Sequence, residues 1–182
     1  MIYFTSDHHF GHFNIIQYCN RPFTTAEEMD EHLIEMWNKT VTNQDFVYHL
    51  GDFTMSKDSN YIKDLLERLN GNKAFVDGNH SSHEFRKAVR EHGWLMRSLL
   101  DIKIKGYPPI TLCHYPMLSW NKSHYGAIQL FGHHHGTISG VGTDPDLIIR
   151  KDQQMDVGVD TNNFKPYSID EVIKLLDKQK EI

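Results

Sequence analysis

The sequence predicts an α/β fold built as one domain, and two observations predict it. Short β-rich runs alternate with stretches of helical period along most of the chain, the pattern of sheets whose ligands gather at the carboxyl ends of strands. The 182 residues, 39% hydrophobic and 24% charged, suit one buried core, are too few for two full domains, and exclude a disordered or fibrous chain.

Each element has a local reason. Residues 1–5 form a strand that stops at Ser6-Asp7. Residues 25–40 are helical: Thr25 and Glu28 make a capping box, and Met29, Leu33, Met36 and Trp37 share one face. Residues 46–50 are a strand stopped by Gly51-Asp52. Ile62, Leu65, Leu66 and Leu69 recur at helical spacing up to Asn70-Gly71, and residues 74–76 make the next strand before Gly78-Asn79-His80. Ser82 caps a short helix carrying Phe85 and Val89, after which residues 99–105 and 110–113 pair as strands and end at His114. Residues 126–131 form a strand ending at Gly132-His133-His134-His135. The Gly- and Asp-rich stretch 136–153 is expected to be a long loop or hairpin, a candidate lid. Residues 155–160 are expected as a last strand, and Ser168 with Glu171 caps a last helix bearing Val172, Leu175 and Leu176.

Composition limits function. With 19 Lys and Arg against 24 Asp and Glu, the net charge of -5 provides no general basic field, so long duplex nucleic acid is not an expected partner. No apolar run approaches the roughly 20 residues of a membrane span, and the N-terminus lacks a secretory pattern, so a cytoplasmic protein without membrane contact is expected. Cys19 and Cys113 are too few for a disulfide framework or a thiolate metal cage. The excess lies in the 13 His, which packing does not require.

Those histidines are not scattered. Asp7 and His9, Asp52, Asn79 and His80, His114, and His133 and His135 each lie just past a predicted strand, where strand ends converge on one sheet edge. In Asp7-x-His9 and His133-x-His135 the i, i+2 spacing in extended backbone points two side chains the same way. Gly51, Gly78 and Gly132 permit the close backbone approach needed to deliver a ligand at a strand tip. Four imidazoles, two carboxylates and one amide form a nitrogen and oxygen donor set suited to Mn, Fe, Zn, Co or Ni. Seven groups exceed one tetrahedral ion and match two divalent ions sharing a carboxylate, an arrangement suited to phosphoester hydrolysis.

In order, Asp7-His8-His9, Gly51-Asp52, Gly78-Asn79-His80, His114 and Gly132-His133-His134-His135 resemble the D-x-H, G-D, G-N-H-[DE], H and G-H-x-H blocks of calcineurin-like metallophosphoesterases. The resemblance implies a sandwich of two mixed β-sheets flanked by helices. It implies one metal on Asp7, His9 and His135, another on Asn79, His114 and His133, and Asp52 bridging, with manganese the foremost metal. It also implies a bridging hydroxide attacking phosphorus while His80 acts as general acid or orients the phosphate. The run Phe10-Gly11-His12-Phe13-Asn14, extended to Arg21-Pro22, is similar to small bacterial and phage members, and on that resemblance His12 and Arg21 lie near the substrate. The substrate expected is a nucleotide or other small phosphoester, as monoester or diester.

One position departs from the pattern. Ser81 stands where the family has Asp or Glu, so His80 lacks an orienting carboxylate, and substrates with good leaving groups are favoured; Asp77, His83 or Glu84 are alternative partners. Two non-catalytic readings compete: a metal-binding scaffold that keeps the family's shell, and a metal buffer. A nuclease of the same superfamily is the enzymatic alternative. Asp156 and Asp160 are expected to hold the last strand against the Gly132–His135 turn without chemistry, Cys19 to be buried, and Cys113 to point into the core.

Overall fold

A computed structural model describes residues 1–137 and 149–180. The strands are β1 (Ile2–Thr5), β2 (Phe46–His49), β3 (Asn72–Val76), β4 (Leu95–Arg97), β5 (Leu99–Ile102), β6 (Ile110–Cys113), β7 (Ile128–Phe131), β8 (Gln154–Asp156) and β9 (Tyr167–Ser168). The helices are α1 (Phe13–Tyr18), α2 (Ala26–Thr40), α3 (Ser59–Arg68), α4 (His83–Glu91) and α5 (Ile169–Lys180). One sheet has the order β4-β3-β2-β1-β9 and the other β5-β6-β7-β8. Both are mixed: β1 to β4 run parallel with β9 antiparallel at the edge, while β6 to β8 run parallel with β5 antiparallel.

The period-2 alternation of strands buries both faces of the first sheet. Val47 and Phe75 join Met29, Leu33, Trp37, Ile62, Leu65 and Phe85 under α2, α3 and α4, whereas Phe4 and Val76 meet Ile110, Leu112, Ile128 and Leu130 of the second sheet. Val172 and Leu176 bring α5 onto this second core, against β1, β8 and β9. The chain is thus a pair of packed mixed sheets flanked by helices, as expected. The caps form as read: Thr25 Oγ1 accepts from Glu28 N–H, Ser82 Oγ from Phe85 N–H, and Ser168 Oγ from Glu171 N–H.

Four elements differ from the sequence reading. The six-residue α1 is too short to display a helical period. Three-residue β4 and two-residue β9 exist because neighbouring strands offer unpaired edges, which sequence periodicity cannot reveal. The strand expected over 155–160 ends at Asp156, because Gly158 N–H turns back to Asp156 Oδ1 at 2.8 Å and Val159–Thr161 closes a 3-10 turn. Of the loop expected over 136–153, residues 138–148 lie outside the described residues.

Candidate metal centre

The parallel strands β1, β2 and β3, together with β6 and β7, end on the edge where Asp7, Asp52, Asn79, His114 and His133 emerge. Asp7 and His9 do not converge through extended backbone as the spacing suggested. Both are left-handed, with φ of 59° and 54°, as are Asp52 at 54°, His133 at 72° and His135 at 50°. Such a conformation costs a non-glycine residue about 1–3 kcal/mol and gathers at functional sites. Five of the nine left-handed non-glycine residues described are candidate ligands, so the strain is concentrated here. Backbone pairing fixes it: Asp7 N–H donates to Gly51 O at 3.1 Å and His9 N–H to Asp52 O at 3.0 Å.

Two glycines permit the convergence by lacking a side chain. A Cβ on Gly78 would stand 2.2 Å from Asp52 Oδ1, and one on Gly132 would stand 2.0 Å from Ser6 Oγ and 2.3 Å from Asp7 Oδ2. These gaps let His80 N–H donate to Asp52 Oδ1 and His133 N–H donate to Asp7 Oδ2, both at 2.9 Å.

The candidate ligand atoms gather as Asp7 with His9 and His135 and as Asp52 with His114 and His133, and a third group, Cys19 with Asp160, shares His135 with the first. Asp52 Oδ2 lies 3.7 Å from His9 Nε2 and 3.3 Å from His114 Nε2, between the first two groups. Asn79 Oδ1 is 2.9 Å from His114 Nε2. Asp7 Oδ1 and both ring nitrogens of His9 are buried without a hydrogen-bond partner, which is costly unless a cation takes them. The residues present therefore could hold a metal ion. The electrostatics of the metal-free site divide the imidazoles: burial would lower all four, yet Asp52 and Asp7 raise His114, and Asp160 raises His135 to about 10. Burial pushes Asp7 up to about 6 against the pull of His135 and His114. It also lowers His9 well below the ordinary imidazole range and His133 to about 4, so both are neutral and ligand-ready near pH 7. Burial opposes ionisation of Asp52, but the His114 ring and the His80 N–H outweigh it and hold the carboxylate charged.

His80 is exposed at the mouth, its ring 5.5 Å from that of His9. His12 stands beside them, 5.5 Å from the His9 ring, and both line a cavity of about 310 Å³ with Tyr18, Asn79 and His133. Ser81 Oγ accepts from Gly78 N–H at 3.1 Å and so closes the Gly78–Ser81 turn. Asp77 does not replace the missing carboxylate, because Arg86 takes it at 3.0 Å.

Arg21 is a correction. Its side chain is buried, and every donor is engaged: Nε and Nη2 reach Asp160 at 2.8 Å, Nη2 also Asp7 O at 2.7 Å, and Nη1 reaches His8 O at 2.8 Å and Met29 Sδ at 3.3 Å. No donor is left for a phosphate; the guanidinium pins the Asp7–His8 backbone. Asp160 in turn accepts from His135 Nδ1 at 2.6 Å, which fixes that ring, and Asp160 is itself held by Arg21, 139 residues away in sequence. Cys19 is only half-buried and stands beside His135 and Asp160, a juxtaposition with no sequence signal; Cys113 is also half-buried rather than in the core. Asp156 Oδ2 does hold the turn, accepting from Gly136 N–H at 2.9 Å. His8 and His49 face away from the centre as a buried pair, Nδ1 to Nε2 at 2.9 Å.

No family model matches the chain. It is 38% identical to the uncharacterized protein MJ1445 of Methanocaldococcus jannaschii, over all of this chain and 94% of that protein. The chain belongs to the family of that protein. It is also 26% identical to the gene 66 protein of Mycobacterium phage D29, over 99% of this chain and 98% of that one. Among solved structures, the protein of unknown function AQ665 from Aquifex aeolicus is similar with a TM-score of 0.73 and 26% identity, over 96% of this chain and 98% of that chain. No helix among the described residues is long and apolar enough to cross a membrane.

Proposed function

We propose that this chain is a metal-dependent phosphoesterase of the calcineurin-like metallophosphoesterase type, acting on a phosphodiester or phosphomonoester. The observation that carries the reading is the position of Asp52 between two groups of donors, one of which contains buried atoms with no partner in the protein. Asp7, His9 and His135 would hold one ion, Asn79, His114 and His133 the other, and Asp52 would serve both. Two divalent ions bound there, manganese foremost, supply positive charge to the phosphoryl oxygens and activate water at neutral pH.

The protein's own residues do the rest. Asp52 also anchors the His80 backbone, so the imidazole is carried on a turn tied to the centre. His80 is then the group that gives its proton to the departing oxygen, with His12 next to it at the mouth. Ser81 closes the turn but offers no charge to orient His80, which supports a preference for good leaving groups. The cavity accepts a phosphate and one adjoining group rather than a duplex. Both cysteines are free thiols, and we take the reducing cytoplasm as the place of action.

The test is steady-state hydrolysis of bis(p-nitrophenyl) phosphate and p-nitrophenyl phosphate by manganese-loaded protein beside Asp52→Asn. Turnover should fall about 10²–10³-fold in the variant. Equal turnover in both would end the two-metal reading, and two tightly bound ions with no hydrolysis of either ester would favour the scaffold.

A further inference from the structure

A groove beside β4 holds charges that the centre does not use. Asp77, Arg86, Arg90, Trp94 and Arg97 line an open space of about 600 Å³. Arg86 and Arg90 are four residues apart on α4 and share a face. Arg97 ends β4, and its carbonyl accepts from Asp77 N–H at 2.9 Å. Three guanidinium groups thus meet one carboxylate, a local excess of positive charge in a chain whose net charge is -5.

The carboxylate occupies only one of them. Asp77 pairs with Arg86, at 3.1 Å to Nε and 3.0 Å to Nη2. Among the described residues Arg97 Nη1 reaches only the Met96 carbonyl, and the Arg90 guanidinium has no ion pair or hydrogen-bond partner. Trp94 is a wall rather than a stacking platform, because its ring carries the Lys73 ammonium at 4.6 Å and the His92 ring stacked at 4.6 Å. The groove therefore selects for charge, and guanidinium groups match phosphate oxygens two by two.

Its position ties it to the centre. Asp77 precedes Asn79 by two residues, so their Cα atoms are at most about 7 Å apart. β3 and β4 run parallel and finish on the edge that carries the donor groups.

We propose that this groove holds a second phosphate of the substrate, which makes that substrate a short single-stranded oligonucleotide. One phosphodiester lies at the metal centre and a neighbouring one on Arg90 and Arg97. The inference rests on the phosphoesterase reading and adds the substrate class. The smaller cavity at the centre, about 310 Å³, takes one phosphate and its adjoining group, so the next phosphate along the strand falls outside it. A single strand can bend into a local groove, whereas a duplex needs a basic track that the acidic surface lacks.

The experiment measures binding of fluorescein-labelled hexauridylate by anisotropy, with its hydrolysis and that of bis(p-nitrophenyl) phosphate, for the parent and Arg90→Gln/Arg97→Gln. Binding to the variant should weaken about tenfold, and its slope of log affinity against log salt should fall by about 0.7, the value for one phosphate contact on a single strand. Hydrolysis of the small diester should stay within about twofold of the parent. Equal binding by the two proteins, or turnover of the small diester with no oligonucleotide binding, would overturn the groove and leave the phosphoesterase reading intact. Weakened binding with no hydrolysis of either ester would sink the phosphoesterase reading and keep the groove. Displacement of the strand by equimolar pyrophosphate would assign the groove to a free polyphosphate and overturn the oligonucleotide.

Discussion

Asp160→Asn probes the brace behind His135. The Asp160 carboxylate joins the Arg21 guanidinium, whose side chain is 0% exposed, to the His135 ring. Burial alone would lower the His135 pKa, yet the bond to Asp160, with Cys19 and Asp7 adding, pushes it from 6.5 up to about 10. The metal-free folded protein therefore keeps a proton between pH 6.5 and about 10 that the unfolded chain has released. This stabilisation is complete below pH 6.5 and is lost as pH rises through about 10. At about 1.36 kcal/mol per pH unit its ceiling is about 5 kcal/mol. The substitution removes the Asp160 share of it and also leaves Arg21 without its counter-charge, a further cost of about 3–5 kcal/mol that does not depend on pH in this range. Urea unfolding of chelator-treated protein at pH 6 and pH 9.5 separates the two. The variant's deficit should be larger at pH 6 and narrow by pH 9.5, where the pH-independent part remains. A deficit of the same size at both values would show that Asp160 and His135 do not share a proton and would refute the reasoning.

Other outcomes follow from the same geometry. Gly132→Ala drives a methyl toward Asp7 Oδ2, so calorimetric titration with Mn should detect fewer ions per chain than for the parent, with a stability loss of about 1–3 kcal/mol. His8→Phe removes the partner of His49 Nε2 and should cost about 1–3 kcal/mol at pH 7, whereas His8→Phe/His49→Phe should recover most of it in a double-mutant cycle. Burial lowers the His8 pKa far below 6.5 and that of His49 to about 3. The folded state thus binds fewer protons than the unfolded chain as pH falls from 6.5 toward 3, and the double variant should resist acid unfolding in that window better than the parent. Ser81→Asp keeps an acceptor for Gly78 N–H and adds charge beside His80, so turnover of an alkyl phosphodiester, a poor leaving group, should rise relative to the p-nitrophenyl ester; an unchanged ratio would remove the role given to Ser81.

The donor set was legible because it is written in local grammar. Asp7, Asp52, Asn79 and His133 each follow a run of β-forming residues, and a strand that ends at a glycine or a polar turn puts its next side chains at a sheet edge. Helices α2, α3, α4 and α5 were legible for the same reason, since their caps and apolar periods lie within a few residues of one another. Short elements without period, α1, β4 and β9, were not, because their existence depends on partners distant in the chain.

The sequence by itself therefore determined the α/β alternation, the capped helices and the identity of the donor residues, all properties of neighbours along the chain. The tertiary structure alone decided how those donors meet. Left-handed backbone at Asp7, His9, Asp52, His133 and His135, rather than extended spacing, turns them inward, because pairing with Gly51, Asp52 and the edges of other strands overrides local preference. It also decided what Arg21 and Asp160 do. An arginine before proline offers the same five donors to a phosphate or to a carboxylate, and only packing that brings residue 160 against residue 21 assigns them to the carboxylate and the backbone.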